Sequence, residues 1–421
     1  MNTTNEEKFC ALLEEELVPA LGCTEPIAIA FAGAKAREVL GAMPDKVELY
    51  CSNNIVKNVK SVTVPFTNGM KGMDVACTLG VVAGDANLIL EVLNNVKEED
   101  IVRTRELVDA GFCKTHSLES TATLDIIVKA MRGEDSVEVE VKNAHGNVVK
   151  IVKNGELILN RDDYQTHSSD FEYSLNDILD FVDTVDIGKV EEVIMRQIDS
   201  NMAIANEGLR NDYGQRIGKT LLKNYGNSVE VRARAYAAAG SDARMNGCTM
   251  PVIINSGSGN QGITVSVPIY IFAEYYKKTR EELIRAVLLS NLCSIHIKHG
   301  IGKLSAFCGA VSASCGVAAG ITYIMGGNRR QVAGAISNTI ANVSGIVCDG
   351  AKASCAAKIS SSVDAGIMAY YMAMDNNAFG GGDGIIDSNI EITIDNVGKL
   401  GKDGMRETDN EIISIMLGES C

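Results

Sequence analysis

A chain of 421 residues, 46% of them hydrophobic, is long enough for two or three domains and buries large cores. Aromatic residues make up only 5%, Trp is absent and Gly reaches 40, so those cores are expected from Ala, Gly, Val and Ile in closely packed helices. The formal net charge of −15, without a basic patch, makes nucleic acid and anionic membrane surfaces poor partners.

Residues 5–18 and 26–42 repeat apolar residues at helical spacing. Between them lies LGCTEPIAIA (21–30). Pro26 suits a first helical turn, Thr24 is a natural N-cap, and Glu25 favours the positive end of the helix dipole. Cys23, just ahead of that helix start, is expected to have a lowered pKa. Its roles stay open here: small apolar filler, nucleophile or metal ligand. After the Met43-Pro44-Asp45 turn, KVELYCS alternates like a strand, and VKSVTVPFTNGMKG ends in a turn. Residues 77–97 return to a helical pattern. Residues 122–129, 136–143 and 147–159 predict strands, the last two joined by a hairpin turn at AHGN.

RDDYQTHSSD (161–170) is a polar linker. From about 173 to 375 the period is helical, with breaks at 255–268, 298–302, 326–328 and 344–350, and AFGGGDG (378–384) follows. EITIDNV (391–397) predicts a strand that returns to the first sheet, and DNEIISIML a short helix leading to Cys421. The fold class is therefore α+β. An α+β domain (1–170) precedes a mainly helical domain of Gly/Ala-rich helices (171–385), then a C-terminal strand, helix and tail (386–421).

The acidic, amphipathic start of the chain is unlike a signal or transit peptide. No apolar run reaches the roughly 18 residues of a membrane span. A soluble, cytoplasmic protein is the expectation. Twelve cysteines in a reducing compartment then point to metal binding, catalysis or packing, and no CxxC pair occurs.

Cys308 in AFCGAVSASCG and Cys348 in IVCDGAKASC each have a second cysteine seven residues on, Cys315 and Cys355. Two helical turns would put each pair on one helix face. Cys315 and Cys355, like Cys10, Cys51, Cys77 and Cys113, read as small core residues. Cys308 and Cys348 leave packing and chemistry both open. INSGSGNQGITVSVP is a Gly/Ser loop whose N–H groups, with Ser256, Ser258 and Asn260, suit a carboxylate or a purely structural turn. It is neither a Walker loop nor a dinucleotide fingerprint. In FTNGMKG, Asn68 suits a turn and Lys71 is an anion partner or a solvated cation. His296 and His299 in SIHIKHGIG are general-base candidates or helix-end caps.

Taken together, GCTEP, FTNGMKG, EGLRNDYGQRIG, AAAGSDARMNG, NSGSGNQGI, KLSAFCGAVSASCGVAAG and VCDGAKASCA resemble the L-cysteine desulfidase family. That family is related to the iron–sulfur L-serine dehydratase alpha chain. The resemblance spans roughly residues 8–395. It implies a [4Fe–4S] cluster on three cysteines, Cys23, Cys308 and Cys348, with one iron open to the substrate thiol or hydroxyl. Ile359 stands near where serine dehydratases carry a further cysteine. The implied reaction is β-elimination of L-cysteine to pyruvate, ammonia and sulfide, with L-serine as the alternative substrate. A non-catalytic iron–sulfur or thiol sensor is the alternative of another class. The substrate carboxylate is expected on the Ser256–Asn260 loop and at Thr24. Base candidates are Lys57, Lys71, Lys303, His296 and His299. Cys421, with a thiol beside a free carboxylate, is a candidate intrinsic competitor for the open iron. The Gly/Ala-rich faces are compatible with a homodimer.

Overall fold

The computed structural model describes residues 3–161 and 171–418. The first half runs α1 (Thr3–Glu16), β1 (Pro19–Leu21), α2 (Thr24–Leu40), β2 (Lys46–Ser52), α3 (Asn53–Val59) and α4 (Met73–Ala83). A 3₁₀ segment (Ala86–Glu91) leads to α5 (Glu98–Asp109), β3 (Cys113–Leu118), β4 (Asp125–Arg132), β5 (Asp135–Lys142), β6 (Val148–Lys153) and β7 (Glu156–Asn160). The second half runs α6 (Leu175–Thr184), α7 (Glu191–Arg210), α8 (Ile217–Tyr225), α9 (Val229–Met245), β8 (Pro251–Ile253) and α10 (Gly259–Tyr275). There follow α11 (Arg280–Ile301), α12 (Gly309–Ile324), α13 (Arg329–Val343), α14 (Cys355–Met374), α15 (Ile390–Lys399) and α16 (Arg406–Leu417). The α+β class expected from the sequence is what the chain adopts.

A six-stranded sheet has the order β3-β2-β4-β5-β6-β7, with β2 and β3 parallel and every other pair antiparallel. The alternation that predicts these strands also sets their buried face. Val47, Leu49 and Cys51, then Ile126, Val128 and Ala130, then Val137, Val139 and Val141 are all buried. Helix α2 covers that face over β4 and β5. It in turn packs on α4, and there Gly80 is required: a Cβ would stand 2.1 Å from the carbonyl oxygen of Ala30. The helical half follows the same small-residue logic, with α12 packed on both α11 and α14 through Ala, Ser and Gly.

Several expected boundaries change. The 147–159 segment is two strands turning at Asn154-Gly155, both with positive φ. The break at 255–268 shrinks, because Ser258 caps α10 by accepting from the Gln261 N–H, and the helix carries Pro268 inside it. Helix α11 continues through 298–301. Residues 391–397 are helical, not a strand. Asn389 accepts from the Glu391 N–H, and Thr393, Ile394 and Val397 form the buried face while Ile392 is exposed. The 161–170 linker lies, from residue 162, outside the described residues. Among the described residues, no helix is long and apolar enough to cross a membrane.

Candidate active site

Four helices begin at one cavity. Cys23 is the N-cap of α2, Ser258 of α10 and Cys308 of α12, while α14 opens at Cys355; all four residues line it. First-turn N–H groups have no intrahelical partner, and the dipoles place their positive ends here. The cavity is therefore suited to anions.

Long-range backbone contacts assemble it. Strand β1, which leads into Gly22-Cys23, pairs antiparallel with β8, which leads into the Asn255–Ser258 loop. The Thr24 hydroxyl donates to the Gly257 carbonyl at 3.0 Å. Around Cys308 and Cys348 the chain forms an antiparallel bridge at Phe307 and Val347. There the Cys308 N–H donates to Ile346 O (3.1 Å) and the Cys348 N–H to Ala306 O (2.6 Å). Thiols far apart in sequence thus face one space.

Electrostatics at the site oppose one sequence expectation. The Cys23 thiol is pushed well up, not down, because it is buried and lies beside the Glu25 carboxylate; its Sγ donates to Glu25 Oε2 at 2.9 Å. Desolvation and the neighbouring carboxylate outweigh the nearby Arg244 charge there. Burial, followed by the proximity of Cys348, pushes Cys308 up to about 12. Burial also raises Glu25, but the facing His145 ring and the Cys23 hydrogen bond outweigh it and hold the carboxyl at about 2. The buried Lys298 ammonium is lowered to about 8 by desolvation. Arg244, 2% exposed, adds a second buried cation on the cavity wall.

The cavity collects Cys23, Thr24, Ser256, Ser258, Asn260, Lys303, Cys308 and Cys348 from the residues singled out in the sequence. The hydroxyls are already engaged: Thr24 as above, Ser256 with Asn255 Oδ1 (3.1 Å), Ser258 as the α10 cap. Cys23, not Thr24, occupies the N-cap of α2. Lys303 pairs with Glu16 at 3.6 Å. Lys57 lies outside, buried in an ion pair with Asp409 of α16. Lys71 and His299 are exposed, and so is Asn68, which donates to Glu98 Oε1 at 3.2 Å. His296 Nε2 is 2.7 Å from Glu391 Oε2, away from the cavity, with its ring against Tyr173. Cys348 precedes α14 in a loop, so it and Cys355 do not share a helix face. Cys355 itself lines the cavity besides packing against Cys23 and Val62. Cys421 lies outside the described residues.

Sequence reasoning passed over His145, Arg244, Gln261 and Lys298. His145 belongs to the AHGN turn, whose composition signals only a hairpin. Arg244 stands inside AAAGSDARMNG, where a charge amid small residues was the available signal. Lys298 sits beside His296 and His299, whose imidazoles are the stronger sequence signal for acid–base chemistry.

The model for the serine dehydratase alpha chain matches residues 88–414. The chain belongs to the serine dehydratase alpha-chain family. A UPF0597 protein of Lachnoclostridium phytofermentans is 52% identical over 414 residues, covering 98% of this chain and 99% of the relative. UPF0597 proteins of Desulfitobacterium hafniense and Finegoldia magna are 48% and 47% identical, each over 98% of this chain and 97% and 99% of the relative. Within this family member, Arg244, Lys298, Cys308 and Cys348 fall in the matched segment, whereas Cys23 and Glu25 precede it.

The donor set fits an iron–sulfur cluster in chemistry. Four cysteines, Cys23, Cys308, Cys348 and Cys355, sit on one cavity, the first two buried at helix starts, and two buried cations stand by to offset thiolate charge. Among the described residues, no three His, Cys, Asp or Glu side chains gather tightly enough to hold a single metal ion.

Proposed function

We propose that the protein is an iron–sulfur lyase that eliminates the β-thiol of L-cysteine, yielding pyruvate, ammonia and sulfide. The observation that carries this is the convergence of Cys23, Cys308 and Cys348 on one cavity whose walls also hold helix N-termini and a buried imidazole. Those three thiolates would hold a [4Fe–4S] cluster. When bound, it supplies an iron with a coordination position unused by the protein, a Lewis acid toward a thiol or hydroxyl leaving group.

The chain's own groups do the rest. First-turn N–H groups of α10 orient the substrate carboxylate. His145 Nε2 has no hydrogen-bond partner among the described residues and takes the Cα proton. The resulting imidazolium faces Glu25 Oε1 at 3.9 Å, a carboxylate already held ionised. Glu25 lies on the first turn of α2, whose N-cap is Cys23, so the partner of the proton acceptor and a cluster ligand share one helix start. With the proton and β-substituent gone, the enamine that remains hydrolyses to pyruvate and ammonia.

The family match favours L-serine as a second reading, by the same chemistry with hydroxide leaving. Anaerobically reconstituted protein, assayed for pyruvate and sulfide on L-cysteine and for pyruvate on L-serine, separates the two. We expect kcat/KM for L-cysteine to exceed that for L-serine. Protein that carries a full cluster and is inert on both amino acids would overturn the lyase reading and leave a sensor.

A further inference from the structure

Four polar atoms of the cavity wall are buried without a hydrogen-bond partner among the described residues: His145 Nε2, Arg244 Nε, Asn260 Oδ1 and Gln261 Oε1. Arg244 forms no ion pair among the described residues, although it is 2% exposed, and an unpaired buried guanidinium is costly. Its position adds to that cost. The guanidinium lies against the first turn of α10, where a Cβ on Gly259 would stand 2.3 Å from Arg244 Nε and 2.8 Å from Cζ. The positive end of a helix dipole beside a buried cation repels it unless an anion joins both. Donors therefore crowd one edge of the cavity. On the same turn of α10, Asn260 Oδ1 and Gln261 Oε1 are acceptors with nothing to accept; Gln261 is 4% exposed.

Unfilled donors next to unfilled acceptors complement a zwitterion. We propose that this wall reads both charged ends of a free α-amino acid: Arg244 and the α10 first-turn N–H groups take the carboxylate, and Asn260 Oδ1 and Gln261 Oε1 accept from the ammonium. The guanidinium fork matches a carboxylate in two hydrogen bonds. The cavity thus selects amino acids with both ends free and rejects amides, esters and N-acylated forms. This rests on the lyase reading of the same cavity, but its test needs no turnover.

L-Alanine has no β-leaving group and serves as an unreactive probe. The full chain, anaerobically reconstituted, is titrated calorimetrically with L-alanine, L-alaninamide and N-acetyl-L-alanine. Wild-type protein is expected to bind L-alanine about tenfold or more tightly than either blocked form, as sites built around hydrogen bonds discriminate. R244Q should weaken L-alanine by a similar factor and bring the alanine-to-alaninamide ratio close to one. R244K should recover part of the affinity. N260A should relax discrimination against N-acetyl-L-alanine. The wild-type series stands alone should R244Q fail to fold: equal affinity for L-alanine and L-alaninamide, or no L-alanine binding, overturns the proposal. So does an R244Q protein that loses iron yet keeps wild-type ligand selectivity, which would make Arg244 a counter-charge for the thiols. Selective L-alanine binding by a protein inert on cysteine and serine upholds the zwitterion site while the lyase reading fails.

Discussion

His145 reaches the cavity from a hairpin of the sheet, and its ring is 6% exposed with Glu25 Oε1 at 3.9 Å from Nε2. An imidazole whose Nε2 has no hydrogen-bond partner among the described residues, beside a carboxylate that balances its charge, fits the proposed role of proton acceptor. Replacing it by Gln keeps the volume and removes the base. We expect H145Q to lower kcat on L-cysteine by about 10²–10⁴ with KM and iron content near wild type; steady-state kinetics beside iron analysis checks this. Loss of iron with an unchanged rate per cluster would make His145 a support for the Cys23 loop instead. The cysteines and the Gly/Ser loop were legible in the sequence because motifs carried them. His145 was not, since a turn of four residues says nothing about which way its side chain points. Nor could the sequence show that the Thr24, Ser256 and Ser258 hydroxyls are used up by local bonds.

At the level of elements, small residues set how closely helices approach. The Cβ that Gly80 lacks would stand 2.1 Å from Ala30 O, so α4 cannot keep its distance from α2 with any side chain there. Gly80→Val is expected to destabilise by about 3 kcal/mol, seen as a lower urea midpoint, since overpacking costs this much in rigid cores. Gly345→Ala, where an added Cβ meets nothing within 4 Å, should leave the midpoint almost unchanged. The same features govern where local periodicity matches the fold. Strands β2 and β5 alternate cleanly because one face is buried. Residues 390–397 offer both periods. Ile390, Ile392 and Ile394 alternate, while Ile390, Ile394 and Val397 follow a helix, and packing of α15 against α11 decides for the helix. Helix α10 was hidden by glycines that sit in its first turns, at Gly259 and Gly262, where close approach to neighbours demands them.

Across the whole molecule, the sheet-bearing half supplies Cys23, Glu25 and His145, and the helical half supplies Arg244, the α10 turn, Cys308 and Cys348. The β1–β8 pair and the Thr24–Gly257 bond bring the two sets together. Contacts of such long sequence separation leave no trace in local periodicity, so the convergence was legible only through the resemblance of ordered motifs. The proposed cluster rests on three particular thiols of this cavity, and not on the other cysteines. Iron and acid-labile sulfide per chain, measured on anaerobically prepared wild type and on C23S, C308S, C348S and C315S, test it most directly. About four irons and four sulfides are expected in wild type and in C315S, whose cysteine is fully buried in α12, and loss of most of both in the other three variants. Wild-type iron and sulfide in C23S, C308S or C348S would contradict it.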